Sequence, residues 1–157
     1  MEILDLMNKK KNLTKKETFD LAVQNQKKNN LNNAKNLYIK ILEIDPNYVV
    51  AHYNLGVVFK KLGEHKKAID CYEKAIQINP NYINAYDNLG RILDKLNLVN
   101  EAKKYFEKAL NLDKNRKRTC DSYGNLLLKL NQYNKGLKYI RKGSGIIRFT
   151  QKDFKII

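Results

Sequence analysis

The sequence predicts an all-α protein, a right-handed superhelical solenoid of about four stacked helix-turn-helix repeats. Three observations lead there. The stretch IDPNYVVAHYNLG that begins at Ile44 returns as INPNYINAYDNLG at Ile78, 34 residues later. At that same period, small residues, aromatic residues and prolines fall into columns along most of the chain. With seven Gly and two Pro in 157 residues, the composition suits helices better than turn-rich sheets.

The columns describe a helix pair. Leu55-Gly56, Leu89-Gly90 and Tyr123-Gly124 form one, and Ala34, Ala68, Ala102 and Gly136 form another. Tyr38, Tyr72, Phe106 and Ile140 share a third, Ile41, Ala75, Ala109 and Gly143 a fourth, and Pro46 and Pro80 a fifth in which Lys114 follows. Small residues such as Gly56 and Ala68 let two antiparallel helices approach closely, and Tyr72 fills the seam. Pro80 then stops the second helix, because proline lacks the amide donor. A single hairpin cannot bury its apolar face, so at least three must stack.

Taken in order, residues 1–14 read as an N-terminal capping segment, with Ile3, Leu4, Leu6 and Met7 covering the edge of the first repeat. Thr14-Lys15-Lys16-Glu17 has capping-box spacing and starts a helix. Repeats follow at 15–48, 49–82, 83–116 and 117–150, with a C-terminal tail at 151–157. Repeat four is degenerate. Gly136 and Gly143 lie inside its second helix, each costing about 1 kcal/mol against Ala, so that helix is expected to be the least stable. Lys114 in place of proline is expected to leave the junction of repeats three and four less sharply defined. Gly143 and Gly145 are expected to end the last helix, and the apolar groups of Ile146, Ile147, Phe149, Phe154, Ile156 and Ile157 to cover the open solenoid edge.

On these columns the chain resembles the tetratricopeptide repeat (TPR) family, whose pattern is Leu-Gly in the first helix, Ala and an aromatic in the second, and a closing Pro. The resemblance runs over residues 15–150. It is close in repeats two and three, fair in repeat one, where Ala22 replaces the glycine, and weakest in repeat four. It implies a non-enzymatic protein–protein interaction module that binds an extended peptide or helix of a partner in the concave groove lined by the first helices.

That face carries Lys16, Phe19, Val23, Gln26 and Lys27 in repeat one, and Val50, Tyr53, Val57, Lys60 and Lys61 in repeat two, at spacings that keep each set on one side of its helix. Repeats three and four replace these with Asn84, Asp87, Arg91, Asp94 and Lys95, then Arg118, Asp121, Asn125, Leu128 and Lys129. One half is apolar and aromatic, the other charged. Phe19, Val23, Tyr53 and Val57 are therefore expected to take an apolar anchor, and Lys60, Lys61, Arg91, Lys95 and Lys129 acidic side chains. In relatives, asparagines at the place of Asn54 and Asn88 grip the peptide backbone, which an amide suits because it both donates and accepts. The family's carboxylate clamp does not fit. Starting at repeat one, its five positions fall on Phe19, Val23, Asn54, Asn84 and Asn88, of which only Asn54 agrees.

Other function classes find less support. No Gly-rich phosphate loop, nucleophile elbow or His/Cys/carboxylate cluster is present, so neither a catalytic nor a metal site is expected, and no cofactor. Cys71 and Cys120 lack metal-type spacing and read as reduced, structural residues. The amino end lacks the pattern of a secretory signal and no stretch is long and apolar enough for a membrane span, so no membrane association and a cytoplasmic address are expected. Net charge is +15, and residues 117–150 carry eight Lys or Arg against one acid, about half of the excess. Binding nucleic acid through this basic repeat is therefore one alternative, and serving as the recruiting arm of a larger or separately encoded enzyme is another.

Overall fold

The computed structural model describes residues 13–144, and among them every regular element is an α-helix. Two compact units divide after Pro80. In the first, α1 (Lys15–Lys27), α2 (Leu31–Ile44), α3 (Val49–Lys61) and α4 (His65–Ile78) pack successively, each against the next. In the second, α5 (Ile83–Lys95), α6 (Val99–Leu112), α7 (Lys117–Lys129) and α8 (Tyr133–Gly143) do the same, and α5 also meets α7. Residues 1–12 of the expected capping segment, Gly145, and the expected edge cover of Ile146, Ile147, Phe149, Phe154, Ile156 and Ile157 lie outside the described residues.

The columns of small and aromatic residues are the core of each unit. Ala34, Tyr38, Ala68 and Tyr72 are fully buried in the first unit, and Ala102 and Phe106 in the second. A Cβ added at Gly56 would stand 2.7 Å from Cε1 of Tyr72, and one at Gly90 2.7 Å from Cε1 of Phe106. The glycine thus leaves the space into which the aromatic ring of the paired helix packs.

Every first helix ends in the same way. Asn29, Gly63, Asn97 and Asn131 have φ of 62, 79, 61 and 59°, the left-handed conformation that glycine and asparagine tolerate best. Behind each of them the amide of the following residue reaches back five positions: Asn30 to Asn25, Glu64 to Phe59, Leu98 to Leu93 and Gln132 to Leu127, all at 2.8–2.9 Å. These bonds satisfy carbonyls left open at the helix end and turn the chain at once into the second helix.

At the other end of the hairpin the structure corrects an expectation. The junction with Lys114 is as well defined as the one with Pro46. Asp113 Oδ1 accepts from the Asn115 amide at 3.0 Å, as Asp45 Oδ1 accepts from Asn47 at 3.3 Å. An aspartate side chain that mimics a turn carbonyl makes the proline dispensable. The capping box forms as expected, with Glu17 N donating to Thr14 Oγ1 at 3.3 Å and Thr14 N to Glu17 Oε2 at 2.8 Å.

The glycines of repeat four also acquire a reason that propensity alone does not supply. A Cβ on Gly136 would lie 2.9 Å from the Gly124 carbonyl oxygen, and one on Gly124 2.8 Å from that of Gly136. Here the small residue of each helix faces the other, and α7 and α8 touch backbone to backbone. At Gly143 an added Cβ would meet Asp121 Oδ1 and the Lys117 carbonyl.

Candidate functional site

The first helices carry the residues expected to bind, and the two units present different surfaces. In the first unit Phe19 and Val23 on α1, and Tyr53, Asn54 and Val57 on α3, are all half-buried. Their inner sides rest on the core. Phe19 makes edge contacts with Tyr38 and Tyr48 at 5.9 and 5.6 Å between centroids, and Tyr53 stacks at a tilt on Tyr72 at 5.8 Å. Lys60 is half-buried and Lys61 exposed. These residues combine an apolar body with accessible edges.

In the second unit an open, polar cleft of about 660 Å³ is lined by Arg91, Asp94 and Lys95 of α5 and by Arg118, Asp121, Ser122 and Asn125 of α7. A set of bonds between the two helices forms its frame. Asp87 is fully buried; its Oδ1 accepts from Thr119 Oγ1 at 3.0 Å, and its Oδ2 lies 3.1 Å from Arg118 Nε. Arg118 Nη2 donates to Asn88 Oδ1 at 3.0 Å, Arg91 Nη1 to Ser122 Oγ at 3.2 Å, and Lys129 Nζ pairs with Asp94 Oδ1 at 2.6 Å. Arg116 adds a bond to Asn84.

Several residues singled out from sequence therefore have different surroundings from those expected. Asn88 is 2% exposed, and its amide oxygen holds the Arg118 guanidinium. Lys129 is neutralised by Asp94, whereas Lys95 and Arg91 stay exposed at the cleft. Arg118, placed by its spacing on this face but not among the residues expected to take acids, is the cation that the structure adds. Its side chain is half exposed and is oriented from behind by a buried carboxylate and a buried amide. An acid on one first helix and a base on the next, far apart in sequence, gave no local signal for this pairing.

The thiols are structural in the sense expected of them. Burial, with Asp70 beside it, pushes the Cys71 thiol up to about 12, and burial raises that of fully buried Cys120. The raised pKa keeps Cys71 largely protonated near pH 8, and the thiol reacts far more slowly than the thiolate. Native protein treated with iodoacetamide at that pH should be alkylated slowly at both cysteines, and denatured protein rapidly. Rapid labelling of Cys71 in the native state, read by mass spectrometry, would contradict its burial. Among the described residues no group of His, Cys, Asp and Glu is arranged to hold a metal ion, and no helix is long and apolar enough to cross a membrane.

Family comparisons agree with the geometry. Tetratricopeptide repeat profiles match residues 49–82 and 83–116, and a TPR repeat profile matches 27–63. No curated protein matches the chain in sequence. Among solved structures, a crystal structure of MamA is 23% identical, with a TM-score of 0.80 over 90% of this chain and 82% of that one. MamA from Desulfovibrio magneticus RS-1, at 19% identity, gives 0.75 over 84% and 75%. YrrB, described as a TPR protein with an unusual peptide-binding site, is 25% identical and gives 0.72 over 82% and 66%. The fold class is that of an all-α TPR solenoid, and the chain belongs to the tetratricopeptide repeat family of protein–protein interaction modules.

Proposed function

We propose that the chain binds an extended or helical segment of another protein on the exposed faces of its first helices. In the second unit the α5–α7 cleft takes acidic side chains, and in the first unit the α1 and α3 faces offer a place for an apolar anchor. The observation that carries this reading is the cleft itself. Its cations Arg91, Lys95 and Arg118 stand beside the amide of Asn125 and the hydroxyl of Ser122, and Arg118 is held in place by Asp87 and Asn88. A guanidinium fixed from behind loses little freedom on binding a carboxylate, and its planar fork suits two oxygens. Asn88 enters this reading as the residue that positions Arg118. Asn54 remains the candidate for gripping a peptide backbone, with Phe19, Val23, Tyr53 and Val57 around the anchor. Lys60 and Lys61 add positive charge at the edge of the first unit, whereas Lys129 is held by Asp94.

The acids of the cleft, Asp94 and Asp121, argue against a track for a uniformly anionic polymer on this face. YrrB's peptide-binding site, on a related fold, favours a peptide ligand. The family is generally non-enzymatic.

Selection of a displayed random peptide library on the whole protein tests this. Peptides that Arg91 and Lys95 help to hold should carry Asp or Glu. Arg91→Ala/Lys95→Ala should weaken them at least tenfold at low salt, and less at high salt, because exposed charges are screened. Equal binding by that variant, or enrichment of peptides without acids, would overturn the acidic-ligand reading.

A further inference from the structure

Away from the cleft, the turn from α7 into α8 holds a combination that peptide recognition does not use. A shallow, open depression is lined by Asn131, Gln132, Tyr133, Asn134 and Lys135. Tyr133 is 58% exposed, an unusual position for a large ring that no core needs, and its hydroxyl donates to Asn131 Oδ1 at 2.8 Å. That bond holds the ring beside the depression. From there α8 runs on with Lys135, Lys138, Arg141 and Lys142, all exposed, and with no acidic residue between Tyr133 and Gly143. Lys135, Lys138 and Lys142 are spaced three and four apart and so form one stripe along the helix. Among the described residues Lys135, Lys138 and Lys142 form no ion pair; Lys135 Nζ lies 6.0 Å from the ring centroid of Tyr123.

We propose that this surface binds single-stranded nucleic acid. The exposed ring of Tyr133 stacks on a base, the side-chain amides of Gln132 and Asn134 meet base edges, and the α8 stripe follows the phosphates. Stacking of this kind is open to any base, since every base has a flat π-face, while cations spaced along a helix supply affinity without sequence preference. A membrane surface fits less well, because the apolar side of α8, with Gly136, Ile140 and Gly143, is already buried. The site shares no lining residue with the α5–α7 cleft, so it stands or falls independently of the peptide reading.

The test is fluorescence anisotropy of the full chain with a labelled 16-nucleotide single strand of mixed sequence, the matching duplex, and vesicles containing phosphatidylserine. Tyr133→Ala, Lys138→Glu/Lys142→Glu and Arg91→Ala/Lys95→Ala serve as variants, with thermal unfolding as a control of folding. Binding of the single strand should weaken with salt, with a log–log slope of roughly −2 to −3 for three or four phosphates contacted. Tyr133→Ala should lose at least fivefold while keeping that slope, since it removes stacking and no charge. Lys138→Glu/Lys142→Glu should flatten the slope, and Arg91→Ala/Lys95→Ala should bind the strand as the parent does. Equal affinity for duplex and single strand, an unaffected Tyr133→Ala, or binding to vesicles alone would overturn the proposal.

Discussion

Gly90→Leu is expected to destabilise the second unit by about 3 kcal/mol or more, a drop in Tm of roughly 10 °C, with Gly90→Ala intermediate. Even the first carbon of the new side chain would stand 2.7, 2.8 and 3.0 Å from Cε1, Cδ1 and Cζ of Phe106. Phe106 has no room to withdraw, being fully buried among its neighbours. For Gly90→Ala two effects compete. Alanine favours the helix by about 1 kcal/mol, but the ring must shift by several tenths of an ångström in a core packed as densely as a crystal. Shrinking the ring should separate the two. Gly90→Ala in a Phe106→Leu background should cost less than in the parent, a coupling that a double-mutant cycle in urea would measure. Additive effects would mean that this glycine and this ring do not meet.

That contact was legible in the sequence because both partners recur. Leu-Gly and Ala-x-x-x-aromatic columns repeat at 34 residues, so each repeat attests the geometry of the others, as Gly56 against Tyr72 and Gly90 against Phe106 do. The left-handed residues that end the first helices also recur at that spacing, as Asn29, Gly63, Asn97 and Asn131. They escaped notice because asparagine is so common in this chain that a column of it stands out poorly. The Asp113 turn was hidden for another reason. A missing proline read as a missing stop, although the aspartate in front of it provides the same turn by its side chain.

The candidate site was legible only as a face. Helical spacing placed Arg91 and Lys95 together on α5 and predicted that the second pair of repeats would be charged. It could not show which charges neutralise one another, because Asp87–Arg118 and Asp94–Lys129 join different helices and depend on how closely those helices pack. Burial reverses the meaning of a residue at a given spacing. Asp87 and Asn88 occupy positions on a first helix that is otherwise exposed on one side, yet both lie in the contact with α7 and serve to hold Arg118.

The second large effect is expected at that pairing. Arg118→Ala should cost about 2–4 kcal/mol, far more than loss of an ordinary surface charge, because it leaves the Asp87 carboxylate buried with only the Thr119 hydroxyl and no counter-charge. Exposed ion pairs are worth about 1 kcal/mol or less, so Lys129→Ala, which breaks the more exposed pair with Asp94, is the matched control. If the cost comes from the stranded carboxylate, removing it should restore stability. Asp87→Leu/Arg118→Met/Thr119→Val replaces the whole group by apolar side chains and should recover most of the loss, since a well-packed apolar replacement of a buried ion pair is often neutral or stabilising. Denaturant midpoints of the three proteins decide the matter. An Arg118→Ala protein no less stable than Lys129→Ala would show that water reaches Asp87 and that its burial sets no constraint on Arg118. With the expected order, the triple variant becomes a folded protein from which the oriented guanidinium is missing. Selected acidic peptides should bind it weakly, because what the buried aspartate maintains at the cleft is the fixed position of that one cation.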